Sequence, residues 1–172
     1  MRLIVTLLCL LIIAPACSRT RDARAVPEIL GIRLGATKGE AHSRLVELGR
    51  LEREERKQQE VWALNNHPSY SHLIVSYDRE HKGVRFVTAV AKEDGRGVRY
   101  SDVIDTAKAS RAAAGSNVTY TADNPGEGER PGYVVRAIGS DPQFLKYYSI
   151  KLIGPEGAED EEEEEERERE RG

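Results

Sequence analysis

Cysteine is almost missing from this chain. Of two, Cys9 lies inside an apolar N-terminal run and Cys17 stands just after it. No internal disulfide can therefore staple the fold, and no cysteine set can hold a structural zinc. No apolar run reaches the roughly 20 residues a spanning helix needs, the longest being Leu3–Ile13, broken by Thr6. Glycines are not gathered into a phosphate loop, and no glycine-rich run leads to a helix-start lysine at the spacing such a loop requires. His67 and His72 flank a turn, with Asp78 and His81 close by in sequence, but no His-x-x-x-His spacing exists, so no metal site is expected. Ser71, Ser76, His72 and Asp78 fall in strand alternation without a nucleophile elbow. Glu54 and Glu55 sit in a charge run with no apolar setting to raise a carboxyl pKa. His42 reads as a solvated helix position beside Glu40. No catalytic residue and no cofactor is thus expected, and the reading is non-enzymatic.

What is present begins with a leader. Arg2, the apolar run and Ala14-Pro15-Ala16 have the form of a secretory signal over residues 1–16. Two cleavage chemistries fit. Ala14-x-Ala16 suits ordinary signal peptidase, while the Ala16-Cys17 junction resembles a bacterial lipobox in which Cys17 is lipidated. Pro15 departs from the usual lipobox. Lipidation is favoured, because Cys17 would otherwise be a lone thiol in an oxidising compartment. Ser18, rather than an aspartate, resembles the sorting pattern for the outer membrane, with the soluble periplasm or secretion as alternatives. Residues 17–27 would then be a polar, arginine-rich tether.

The rest reads as two units. Thr37-Lys38-Gly39-Glu40 fits a capping box, and Ala41, Leu45 and Leu48 make one apolar stripe, with Gly49 as a left-handed cap. Gly35 lets the entering strand turn. A structural helix is the stronger reading of this stretch. The charged segment 51–59 has no clear period. Val61–Leu64, Tyr70–Asp78 and Val84–Lys92 read as strands, with Leu73, Val75 and Tyr77 on one face of the second. Residues 28–94 thus form a helix with three strands. From 95 to 155 the order repeats: a helix capped by Ser101 and ending at Ala112–Gly115, then strands at Asn117–Ala122, Tyr133–Ile138 and Phe144–Ile153. The expected fold class is α+β, each helix packed on an antiparallel meander.

Leu34-Gly35 before Thr37-x-x-Glu40, Leu48-Gly49, Trp62, Leu73-x-Val75-x-Tyr77-Asp78 and Gly83-Val84 together resemble the small outer-membrane lipoproteins of the BamE (SmpA/OmlA) type. Two such units in tandem look like the β-lactamase inhibitory protein fold. The resemblance covers about 60 residues of the first half and only element order in the second. It implies a non-enzymatic module that binds other envelope proteins. A secreted inhibitor of an envelope hydrolase and a periplasmic small-ligand binder are the alternatives.

The C-terminal residues 156–172 are read as a disordered tail, since Glu159–Arg171 holds ten acids against three arginines. Residues 18–158 carry 22 basic and 19 acidic side chains, a net of +3 that gives no sign of a nucleic-acid surface. Alternation places Val84, Phe86 and Val90 under the helix and turns Arg85 outward. In the last strand it turns Tyr148, Ile150 and Leu152 inward, leaving Tyr147, Ser149 and Lys151 outside. Arg85, Tyr147 and Lys151 are therefore the expected partner-binding residues, the mixture of aromatic and cation found at binding hot spots.

Overall fold

A computed structural model describes residues 26–55, 58–78, 83–93, 97–126, 128 and 131–153. The segments read as leader and tether up to residue 25, Cys17 included, together with His81 and residues 154–172, lie outside the described residues.

The chain opens with a small hairpin, β1 (Glu28–Ile29) and β2 (Ile32–Arg33), turned through Leu30 and Gly31 at positive φ. Helix α1 (Lys38–Leu48) follows, and then β3 (Gly49–Glu55), β4 (Gln59–Leu64), β5 (Tyr70–Tyr77) and β6 (Val84–Ala91). The second half holds β7 (Val98–Arg99), a one-turn helix α2 (Tyr100–Val103), β8 (Ser110–Ala114), β9 (Asn117–Asn124), β10 (Gly132–Gly139), β11 (Phe144–Leu145) and β12 (Tyr147–Ile153). Eight of these strands form one antiparallel sheet in the order β3-β4-β5-β6-β12-β10-β9-β8, so the halves join through β6 and β12. β7 and β11 pair beside it.

The capping box of α1 forms as expected. Thr37 Oγ1 accepts from the Glu40 N–H at 3.3 Å, and the Glu40 carboxylate accepts from the Thr37 N–H at 2.9 Å. The Thr37 N–H and the Thr37 hydroxyl, which donates to the same carboxylate at 2.9 Å, hold the Glu40 carboxyl below its usual range. Ala41 and Leu45 are buried in the core with Leu73, Val75, Val87 and Trp62. Gly35, at φ +76, makes the left-handed turn into the helix. Gly49 does not: it is extended, and begins β3 directly. It is glycine for a different reason, since a Cβ there would run into the Ala63 carbonyl oxygen.

The fold class corrects the expectation of an α+β molecule with two helix-plus-three-strand units. It is mostly β, one large eight-stranded sheet with only two helices among the described residues. Two segments account for the change. The charged stretch after α1 is a strand, β3, whose residues are nearly all exposed and therefore show no apolar period. Ala112–Ala114, read as the end of a helix, belongs to β8. The helix stops after one turn because Ile104 is extended at φ −138, and Asp105 then turns the chain by accepting from the Ala107 N–H. Nor is Ser101 the cap, since the N-cap position is Arg99, whose N–H donates to Asp102.

In the second half Tyr100 does much of what a longer helix would do. Its hydroxyl donates toward the carbonyls of Val118 and Asp141, and its ring lies 4.9 Å from that of Tyr120. Burial raises its pKa.

Candidate protein-interaction face

A strand presents alternate residues to opposite faces, so the ladder register assigns each side chain to a side of the sheet. The inner face carries the core. Tyr70, Leu73, Val75 and Tyr77 of β5, Val84, Val87, Ala89 and Ala91 of β6, and Tyr148 and Ile150 of β12 are all buried. None of their outward neighbours belongs to that core.

The outer face runs unbroken across the molecule. Arg53, Val61, Ile74, Thr88, Ser149, Arg136, Thr121 and Ser110 are register partners from one edge to the other. One side of that row is joined by Val90, Tyr147 and Ile138, and the other by Phe86, Lys151 and Val134. The composition shifts along it, from aliphatic over β4–β6 to polar and cationic over β12–β9.

β12 presents its faces as alternation demanded. Tyr148 and Ile150 are buried, Tyr147 is exposed, and Ser149 and Lys151 are half-buried. Tyr147 and Lys151 are four residues apart, about 13 Å along the strand. β6 corrects the expectation. Val84 points inward, but Phe86 and Val90 point outward and Val87, Ala89 and Ala91 take the core positions. The cause is a bulge: Ser76 pairs with Phe86 and Tyr77 with Val84, leaving Arg85 as the extra residue. Arg85 is half-buried on that bulge, beside the Phe86–Lys151 pair. The structure thus brings Arg85 and Lys151 to one end of the β6–β12 seam and Tyr147 to the other.

A hydroxyl–imidazole–carboxylate chain lies toward the β3 edge. Ser71 Oγ is 3.0 Å from His72 Nδ1, and His72 Nε2 is 3.2 Å from Glu52. The Ser71 hydroxyl also donates to the Val90 carbonyl at 3.3 Å, which ties it to the sheet. All three sit on strands rather than on a loop at the mouth of a pocket, and they brace β5 against the β3 edge. His67 accepts from the N–H groups of Ser69 and Tyr70, closing the β4–β5 turn; burial, then Lys92, lowers its pKa. Asp78 donates its N–H to Gly83.

Sequence reasoning missed a buried carboxylate with several partners. Glu60 is the one charged side chain buried among the described residues, at 2% exposure. Its Oε1 is 2.9 Å from Lys38 Nζ, and its Oε2 accepts from Trp62 Nε1 at 2.9 Å and Tyr77 Oη at 3.0 Å. Lys38 also lies over the Tyr77 ring, and the His42 ring meets Trp62 edge-on. Burial acts to raise the Glu60 carboxyl, but the bonds from Lys38, Trp62 and Tyr77 outweigh it and leave the pKa below the usual range. Burial and the neighbouring Glu60 charge push the Tyr77 phenol well above its ordinary value. The signal was there: Glu60 and Trp62 are two apart on one strand, and so share a face. His42 is exposed, as expected, though it is not merely solvated.

Among the described residues no three His, Cys, Asp or Glu side chains converge on a metal position. No described helix is long and apolar enough to cross a membrane. A cleft of about 400 Å³ opens between Lys92, Asp141, Phe144 and Lys146, with charged side chains at its rim. Comparison with protein-family models, with curated proteins and with solved structures returns no match.

Proposed function

We propose that this protein is an exported bacterial envelope protein, lipid-anchored at Cys17, that acts as a non-enzymatic docking module for other envelope proteins through the outer face of its sheet. The observation that carries this reading is the one-sidedness of the sheet. The six strands between the two edges bury residues on their inner face, while the outer face offers Ile74, Phe86 and Val90 beside Tyr147, Arg136 and Lys151. A face of aliphatic centre and cationic flank suits a protein surface that is apolar with acidic side chains around it. The sequence resemblance to small envelope lipoproteins supports the same class of role. A small-ligand binder would be supported by an enclosed apolar pocket, and the cleft by Lys146 is open and charge-rimmed.

Two measurements test this. Feeding cells a clickable fatty acid should label the wild type and not Cys17→Ser, since stable anchoring needs more than one acyl chain and a residue to carry them. Equal labelling would remove the anchor. A photo-crosslinking residue at Thr88, on the outer face, should capture an envelope protein that the same residue at Ser43, on the exposed side of α1, does not. Capture from both positions alike would remove the face.

A further inference from the structure

Among the described residues the sheet is open, with two edges, β3 and β8, and they are built differently. An edge strand leaves alternate N–H and C=O groups without a ladder partner and will accept another strand unless something blocks it. β3 is blocked: its ladder is interrupted between Leu51 and Arg53, and Arg50, Glu52, Arg53, Glu54 and Glu55 crowd it with charge. β8 has neither device. Its five residues pair with β9 in unbroken register, all five are exposed, and Arg111 is its one charge.

We propose that β8 is a self-association edge, on which a second copy of this chain adds its own β8 antiparallel to extend the sheet. The register makes the edge self-complementary. A two-fold axis through Ala112 sets Ser110 against Ala114 of the second copy, Arg111 against its Ala113, and Ala112 against its Ala112. Each arginine therefore meets an alanine, and no like charges stand directly opposite. Apart from Arg111 the side chains of β8 are small, so the backbones can reach ladder distance. The segment also gains from the arrangement. Alanine favours helix over strand, and β8 is held on one side only; a second ladder supplies partners for its outward groups. Five residues a side is well short of the roughly 20–30 that stable interfaces use, so the dimer is reversible and forms at high local concentration. This inference stands apart from the docking face, which the added strand leaves uncovered.

The test is sedimentation equilibrium on the purified chain carrying Cys17→Ser, so that no acyl group contributes. The wild-type sequence should show a concentration-dependent monomer–dimer equilibrium. Ala112→Lys and Ala112→Glu each place like charges face to face on the axis, and each should weaken the dimer by roughly fivefold. Because Ala112 is exposed, both variants should keep the wild-type circular dichroism. Mixed one to one, they should restore association, as lysine now meets glutamate. A chain that stays monomeric at every concentration overturns the proposal. So does a dimer indifferent to both variants, or one that their mixture fails to restore.

Discussion

Lys38 Nζ, on the first turn of α1, lies 2.9 Å from the carboxylate of Glu60, at the second position of β4. Glu60 is buried and the lysine is 40% exposed at its side chain, so the pair carries a charge into the helix–sheet interface while keeping one end in water. With Trp62 and Tyr77 donating to the other oxygen, both carboxylate oxygens are partnered, and α1 is tied to β4 and β5.

Lys38→Met should cost about 1–2 kcal/mol at neutral pH, the low part of the range for bonds to a charged group because the lysine is half in water. The pH dependence gives a sharper check. The Glu60 pKa is lower folded than unfolded, so its stabilisation is present above the ordinary carboxyl value near 4.5 and is lost as pH falls through the folded value. The difference between wild type and Lys38→Met should therefore be largest near neutrality and shrink in acid. A constant difference from pH 7 to pH 3, by urea denaturation, would contradict this account of the pair.

Tyr77 works in the opposite direction. Its folded pKa is raised, so its contribution is present below the ordinary value of 10.0 and is lost as pH rises. Ultraviolet titration of the folded protein should show Tyr77 and Tyr100 still protonated when the exposed tyrosines have ionised, with Tyr77 the last step. Tyr77→Phe should remove that late step and leave Glu60 with one donor fewer.

Packing and backbone predictions separate cleanly. Leu45 is fully buried, and Leu45→Ala should cost roughly 2–5 kcal/mol. Thr37→Ala removes the cap acceptor and should cost on the order of 1 kcal/mol. Gly49→Ala puts a methyl group against the Ala63 carbonyl and should cost about 1–3 kcal/mol or more. Thermal denaturation ranks them, and a Gly49→Ala protein as stable as wild type would mean that the close approach of β3 to β4 is wrong.

Where one local rule governed, the sequence was legible. The capping box placed α1, and period-two alternation placed the faces of β5 and β12. The phase of β6 was lost because a bulge at Arg85 adds one residue, and a single added residue exchanges the two faces. β3 was unreadable because an exposed edge strand needs no apolar side. β8 was misread because alanine propensity favours helix, while the pairing with β9 that overrides it lies in tertiary structure. Of the face itself, Tyr147 and Lys151 were legible and Arg136 was not, because its importance comes from the row it joins across all eight strands.

The central claim is that the outer face holds the partner. Its most direct test is the affinity of the protein captured from Thr88, measured with the wild type and with Tyr147→Ala combined with Arg136→Glu. Both side chains are exposed, so the fold should be unchanged by circular dichroism. Loss of an aromatic and reversal of a cation at a docking surface should weaken binding at least tenfold, a change of about 1.4 kcal/mol. A folded double variant that binds with wild-type affinity would show that the partner sits elsewhere.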